Sequence, residues 1–541
     1  MNTRKPPALA VAGTAALVAG SLSPWATFAG YPGKMSLGGF PGGARLFCLL
    51  LATGAVLFVL DLGGRRRAAL AVGIGAAAVV AVNFAGLMDH GGGIGSVAWG
   101  AWLSLAGAGL LTAAAWRLPA GTPAPKEWPV LPVAVEVAAV AAAVLALLGA
   151  VVWGLRINES SRFVSFLVFV AFVSVAVHHL GVFEALGVLF ARRQRIALVL
   201  GGAAAVAFPF TQQGNAYWIR VFASIGVFAV AAIGLNVVVG LAGLLDLGYV
   251  AFFGVGAYVG ALLSNAALTT VHFHVPFLFV VLLGGCVAAV FGLVIGTPTL
   301  RLRGDYLAIV TLGFGEIFRI TANNWDGLTR GPNGISGIPD LAAAGFDFGE
   351  SHALFGVTLP GFANYYFVEL VLIAGAILVF TRLNDSRIGR AWVAIREDEV
   401  AAAASGIDTI RLKLMAFAIG AFLAGCAGTV NAHVTTQVSP DSYTFLESIL
   451  LVAAVVLGGM GTVPGALLGS TMLFVLPEKL RSFQDKRLLL FGAALILVMR
   501  FRPEGLVPSK RRRRELRERA PEGVPGLPGA SGAPPGSPVA G

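Results

Sequence analysis

The chain has 541 residues, of which 57% are hydrophobic and only 12% charged, and its mean hydropathy is +0.83. A soluble domain carries about 25% charged residues, so an ordinary water-soluble protein is excluded; so is a disulfide scaffold, because the three cysteines, Cys48, Cys286 and Cys426, lie in apolar runs without ligand spacing. The net charge of +11 comes largely from short basic clusters between apolar runs, which is the pattern of membrane orientation and not of nucleic-acid binding.

A helix that crosses ~30 Å of hydrocarbon needs ~20 mostly apolar residues. By that measure the sequence predicts an all-α polytopic membrane protein with about sixteen transmembrane helices, about six in residues 1–190 and about ten in residues 191–508. The first six fall at 8–28, 45–62, 68–88, 96–116, 129–155 and 163–190. The opening stretch, MNTRKPPALAVAGTAALVAG, has the basic start and small apolar run of a signal peptide. The run extends towards Phe28 without a small-x-small site to close it, so a retained helix is expected. Further spans are predicted at 196–211, 217–239, 243–264, 276–298, 305–322, 366–382, 409–431, 445–460, 465–480 and 487–501. The last three are short and glycine-rich and read equally as broken or re-entrant helices. Residues 323–365, rich in Gly, Asn and Asp, form a loop long enough to carry structure. The tail 509–541 is basic at first; from 520 it is almost all Pro, Gly, Ala and Ser, a composition that cannot bury a core and predicts disorder.

Lys and Arg in short loops mark the cytoplasmic side. With both termini inside, Arg65 to Arg67, Arg192, Arg193, Arg195, Arg301, Arg303 and the stretch from Arg382 to Arg396 are cytoplasmic, and 323–365 is external.

Small residues recur four apart at Gly256, Gly260 and Ser264, at Gly420, Ala424 and Gly428, and at Gly465 and Gly469, which predicts close helix packing within the chain. The stretch from Gly234 to Gly260 contains Gly240, Gly243, Asp246, Gly248, Tyr249 and Gly254. Such glycines and a carboxylate in an apolar run suggest a break between two helices, with backbone facing a cavity or another helix, as on a translocation path. The alternative is a tight cytoplasmic turn with Asp246 in water. Glu316 and Arg319, three apart near the outer surface, can pair, or both can snorkel to the interface. His178 and His179 read as a polar spot near a helix end.

Residues 386–413, SRIGRAWVAIREDEVAAAASGIDTIRLK, are far more charged than their surroundings. Arg387, Arg390, Arg396, Glu397, Asp398 and Glu399 flank a helix-forming stretch that is expected to continue through Ala401 to Ala404 and end at Gly406. A cytoplasmic amphipathic helix of this kind docks a partner or lies at the headgroups. The sequence has no G-x-x-x-x-G-K-[ST] loop, no H-E-x-x-H and no paired-cysteine metal site. No ATP, metal or cofactor site is therefore expected in this chain, and no catalysis of its own.

From about Ile196 to Pro508 the sequence resembles the LivM-type permease of ATP-binding-cassette importers for branched-chain amino acids. The resemblance rests on GLNVVVGLAGLLDLGYVAFFGVGAYVGALL, PTLRLRGDYLAIVTLGFGEIFRI, GPNGISGIP, IGRAWVAIREDEVAAAASGID with LKLMAFAIGAFLAGCAG, LGGMGTVPGALLG and FRPEGLVP, in that order. It implies a multi-pass protein of the cytoplasmic membrane that works by alternating access, a second homologous permease subunit, two cytoplasmic ATPase subunits that bind the ATP, and an extracytoplasmic substrate-binding protein. It also implies that Gly389, Arg390, Arg396, Glu397, Asp398, Glu399, Ala402, Ala403 and Gly406 form the loop that docks into the ATPase, with Ala402 and Ala403 where the partner comes close. Asp246 and Tyr249 stand where the family more often has Ser and His. Residues 1–190 lie outside the resemblance. Two other readings compete: an ion-coupled secondary transporter using Asp246, Glu316, Glu369 and Glu447, or a member of the same importer family that carries urea, short amides or aromatic acids.

Overall fold

The computed structural model describes residues 8–25, 44–58, 65–91, 94–118, 131–157, 160–212, 216–264, 277–299, 305–340, 342–343, 346–354, 357–479 and 505–507, with 492, 496 and 500 as isolated residues. The chain is an all-α polytopic membrane protein, as predicted; among the described residues nine helices are long and apolar enough to cross a membrane, with shorter apolar helices at Ala8–Leu22, Arg45–Phe58 and Val250–Ser264. Each predicted span up to residue 480 overlaps helix, 243–264 only from Val250 onward. The span predicted at 487–501 lies almost wholly outside the described residues, as does the tail 509–541. Two compact units result, Met1–Trp218 with Pro477–Leu488, and Ile219–Leu476 with Leu489–Gly541.

The first unit holds α1 (Ala8–Leu22), α2 (Ala44–Ala52), α3 (Arg65–Gly91), α4 (Trp99–Trp116), α5 (Val133–Arg156), α6 (Ser160–His179), α7 (Val182–Arg192) and α8 (Gln194–Thr211). Gly13, Gly20, Gly100 and Gly107 bring the backbones of α1 and α4 into contact, leaving no room there for a Cβ. Arg45 donates to the carbonyls of Ser21 (2.6 Å) and Leu22 (2.8 Å), which satisfies the open end of α1. Glu136 on α5 accepts from Arg193 at 2.8 Å and Arg192 at 3.3 Å. One expectation is corrected here. The run 163–190 is not a single span, because Gly181, at φ +75°, ends α6 and starts α7. The unit also includes α8.

The second unit begins within α9 (Ala216–Leu235), which runs into a π-helical turn at Asn236–Leu241. Then follow α10 (Val250–Ser264), α11 (Phe277–Thr299), α12 (Asp305–Asn324), α13 (Asp326–Thr329), α14 (Gly361–Asn384), α15 (Arg387–Glu397), α16 (Glu399–Ala404), α17 (Thr409–Thr435), α18 (Phe445–Gly458) and α19 (Val463–Lys479). Helices α10, α11 and α17 form its centre, and the small-residue stripes pack within the chain as expected. Gly256 abuts the Gly425 backbone, and Gly428 abuts the Phe253 carbonyl. Across the same seam Thr429 Oγ1 lies 2.9 Å from the carbonyls of both Gly256 and Gly425, and Ser264 Oγ lies 2.8 Å from His433 Nε2. Gly469 on α19 touches the Ala454 backbone of α18. Dispersion between such close backbones is the main attraction available in lipid.

The predicted loop is structured. Its strands are β1 (Ile335–Ser336), β2 (Ala342–Ala343), β3 (Phe346–Asp347), β4 (His352–Leu354) and β5 (Val357–Leu359). β2 pairs with β3 and β4 with β5, while β1 pairs with β6 (Gln437–Val438), the segment that follows α17. Tyr365 donates to Asp340 at 2.8 Å, tying the loop to α14.

Candidate functional site

The helix break begins where three valines and a glycine, Val237 to Gly240, follow Asn236. The β-branched run loosens the helix into the π turn, and residues 242–249 leave helical geometry altogether. Backbone N–H groups freed inside an apolar core must find partners, and here side chains from distant helices supply two of them. Leu247 N–H donates to Thr311 Oγ1 on α12 (3.0 Å), and Val250 N–H to Ser448 Oγ on α18 (3.1 Å). Gly248 N–H donates to Asp246 Oδ1 (2.9 Å), and Tyr249 OH to the Gly420 carbonyl on α17 (2.7 Å). The Asn236 side chain clamps the turn before α19, donating to Thr462 O (2.9 Å) and accepting from Gly461 N–H (2.7 Å). Gly248 has no space for a Cβ because the Thr311 carbonyl fills it, and Gly254 is overlain by the rings of Phe318 and Tyr443.

Asp246 is 1% exposed, and its Oδ2 has no hydrogen-bond partner among the described residues. The alternative of a solvated turn with Asp246 in water is therefore wrong.

The charged segment folds as two helices. Ser386 caps α15, its Oγ accepting from Gly389 N–H at 3.1 Å. Gly389 sits where the Leu383 carbonyl leaves no room for a side chain. At Asp398 the backbone turns extended (φ −154°, ψ 108°), and the Asp398 carboxylate then caps α16 by accepting from Val400 N–H (2.8 Å) and Ala401 N–H (3.0 Å). The single continuous helix expected through Ala404 is corrected on this point: an Asp that satisfies two open N–H groups starts a new helix. Gly406, at φ +84°, ends α16 as expected, with Gly406 N–H on Ala403 O (3.0 Å) and Ile407 N–H on Ala402 O (3.1 Å).

Three contacts fasten this pair to the second unit. Trp392 is fully buried and its indole donates to the Leu412 carbonyl at 2.7 Å. Lys413 and Glu399 form an ion pair at 2.6 Å. Arg396 donates to the Gly240 carbonyl of the π turn at 2.7 Å, and its aliphatic stem covers Gly243, whose φ is +73°. The break and the charged segment, two separate stretches of sequence, thus meet at Arg396. Arg390, Glu397, Asp398, Val400 and Ala403 face outward, whereas Ala402 is buried within the chain. Thr311, Ser448, Leu412 and Lys413 were not singled out in the sequence, because each works through a residue distant from it along the chain or on another helix.

Glu316 and Arg319 do pair, at 2.5 to 3.2 Å, and Arg319 also reaches Asp441 at 3.7 Å. Glu369 is 1% exposed with neither oxygen partnered among the described residues, and Glu447 is half-buried. No three of His, Cys, Asp and Glu gather to hold a metal among the described residues.

The family described as the branched-chain amino acid transport system permease component matches residues 217–499. The chain belongs to this family. Both the helix break and the α15–α16 pair of the permease lie inside the matched region. The chain is similar to the high-affinity branched-chain amino acid transport system permease protein LivM of Salmonella typhimurium (strain LT2), with 40% identity over 345 residues, 61% of this chain and 79% of that protein. LivM of Escherichia coli (strain K12) is 40% identical with the same coverage. The high-affinity branched-chain amino acid transport system permease protein BraD of Pseudomonas aeruginosa is 30% identical over 288 residues, 52% of this chain and 91% of that protein. No solved structure matches the permease. Residues 1–216 precede the family match.

Proposed function

We propose that this permease is a transport subunit of an ATP-binding-cassette importer for branched-chain amino acids in the cytoplasmic membrane. The observation that carries the reading is the α15–α16 pair, a charged, outward-facing surface fastened by Arg396 and Lys413 to the broken helix and to α17. In this reading its exposed side docks on a cytoplasmic ATPase, one of two that bind and hydrolyse the ATP. A second, homologous permease completes the path, and an extracytoplasmic binding protein delivers the substrate. Closure of the ATPases pushes on α15–α16. Arg396 passes the displacement to the π turn, and Lys413 passes it to α17. Charged groups at the docking surface supply specificity more than affinity. Both termini and Arg390 are inside, and residues 323–365 are outside. The names of the relatives support a branched-chain, hydrophobic amino acid as the substrate.

The complete transporter in proteoliposomes tests this directly. Leucine uptake should require ATP on the ATPase side and the loaded binding protein, and should persist when ionophores collapse the proton and sodium gradients. Uptake that ignores ATP but stops with the ionophores would replace this reading with ion coupling through Asp246, Glu316, Glu369 or Glu447.

A further inference from the structure

Tyr258, on α10, is 5% exposed, yet its hydroxyl has no hydrogen-bond partner among the described residues. A buried hydroxyl left unpaired is costly, so its retention calls for an explanation beyond packing. Aromatic rings from three elements surround it. The centroids of Phe318 on α12 and of Tyr443, just before α18, each lie 6.2 Å from the Tyr258 ring, and Phe318 and Tyr443 are 6.2 Å from each other. Phe253, one turn earlier on α10, is 6.1 Å from Tyr443. Gly254 is what admits the rings this close to α10, since a Cβ there would strike both Phe318 and Tyr443.

The residues adjoining these rings are charged. Arg319 follows Phe318, and Asp441 precedes Tyr443 by two positions. Arg319 is held firmly by Glu316, at 2.5 to 3.2 Å, but only loosely by Asp441, at 3.7 Å. Asp441 is 79% exposed at its side chain. The group therefore offers an apolar wall, a hidden hydroxyl donor, a guanidinium and one carboxylate that is not fully engaged. A small zwitterion with an apolar side chain asks for that combination. Its carboxylate can accept from Tyr258 OH and Arg319, its ammonium can meet Asp441, and its side chain can replace ring–ring contacts.

We infer that Tyr258, Arg319 and Asp441, with the rings of Phe253, Phe318 and Tyr443, form a subsite for an apolar amino-acid zwitterion beside the β1–β6 pair. This rests on the functional reading above and gives it a place in the molecule.

The test uses the complete transporter in proteoliposomes, with leucine-loaded binding protein as the varied reactant. Tyr258→Phe and Asp441→Asn should each lower the maximal rate of leucine uptake about tenfold, the effect of one hydrogen bond or contact to a charged group. The concentration of loaded binding protein giving half-maximal uptake should stay the same. Tyr258→Phe should melt no lower than wild type, because it deletes only an unpaired group. A structural role predicts the reverse pattern, a lowered melting temperature with uptake per folded molecule retained. Wild-type rates in both variants would overturn the subsite while leaving the importer reading intact. A wild-type complex that takes up no apolar amino acid would overturn both.

Discussion

Glu399→Ala takes away the carboxylate that holds the Lys413 ammonium, and the cost follows from how deeply that ammonium is buried. The Lys413 side chain is 4% exposed and that of Glu399 25%, and they meet at 2.6 Å. Removing one partner of a buried ion pair costs about 3–5 kcal/mol, because the other charge is left desolvated and unpaired. Glu399 is a quarter open to solvent, so water can enter the vacated space and the cost should fall to about 2–3 kcal/mol. Replacing both partners by apolar residues of similar volume, Glu399→Leu with Lys413→Met, deletes the stranded charge as well. That double variant should lie within about 1 kcal/mol of wild type. Thermal unfolding of the wild type, Glu399→Leu, Lys413→Met and the double variant closes the cycle, with Glu399→Ala measured alongside. Leucine uptake in the same four proteins reports whether α16, no longer fastened to α17, still passes motion inward; the single variants should lose uptake while keeping the ATPase bound. A double variant no more stable than Glu399→Ala, or a Glu399→Ala protein as stable as wild type, would refute the reasoning.

Gly256→Val places a side chain on the Gly425 backbone and should prevent folding of the second unit, read as aggregation on size exclusion, whereas Gly313→Ala and Gly375→Ala meet open space and should elute as wild type. Gly406→Val meets no atom, so its penalty is purely the left-handed backbone, about 1–2 kcal/mol; faster amide exchange at Gly406 and Ile407, with Gly406→Asn milder, would show it. In a background without Cys48, Cys286 and Cys426, single cysteines at Arg192 and Arg390 should react with an impermeant maleimide only from the cytoplasmic side, and one at Asp326 only from outside; the opposite labelling at position 326 would reverse the orientation.

Hydropathy made the spans legible because lipid imposes a length and a composition on any helix that crosses it. The break before α10 was legible for a related reason, since glycines and Asp246 are costly in an apolar run unless backbone is to be freed there. Gly181 escaped notice because a left-handed glycine leaves no mark in hydropathy; the polar spot at His178 and His179 does lie at a helix end, that of α6. The division at Asp398 was present in the sequence as an acidic cap followed by Glu399 and helix-forming alanines, but it was masked by the equally helical residues before it. The strands of two or three residues carry no period long enough to read. Arg396 was correctly placed in the charged segment, yet its contact with Gly240 spans 156 positions and no local pattern encodes it.

The partners that complete the helix break are made long after the break itself. Leu247 N–H waits for Thr311, 64 residues later; Tyr249 OH waits for the Gly420 carbonyl, 171 later; Val250 N–H waits for Ser448, 198 later. At a synthesis rate of about 5–20 residues per second, the last of these arrives about 10–40 s after the amide it satisfies. Bare lipid offers those groups nothing during the interval. The segment must therefore stay helical or remain in contact with water until α12, α17 and α18 have emerged. The unwound geometry is thus a late event in the making of the chain, and a nascent protein halted before Ser448 lacks the means to finish it.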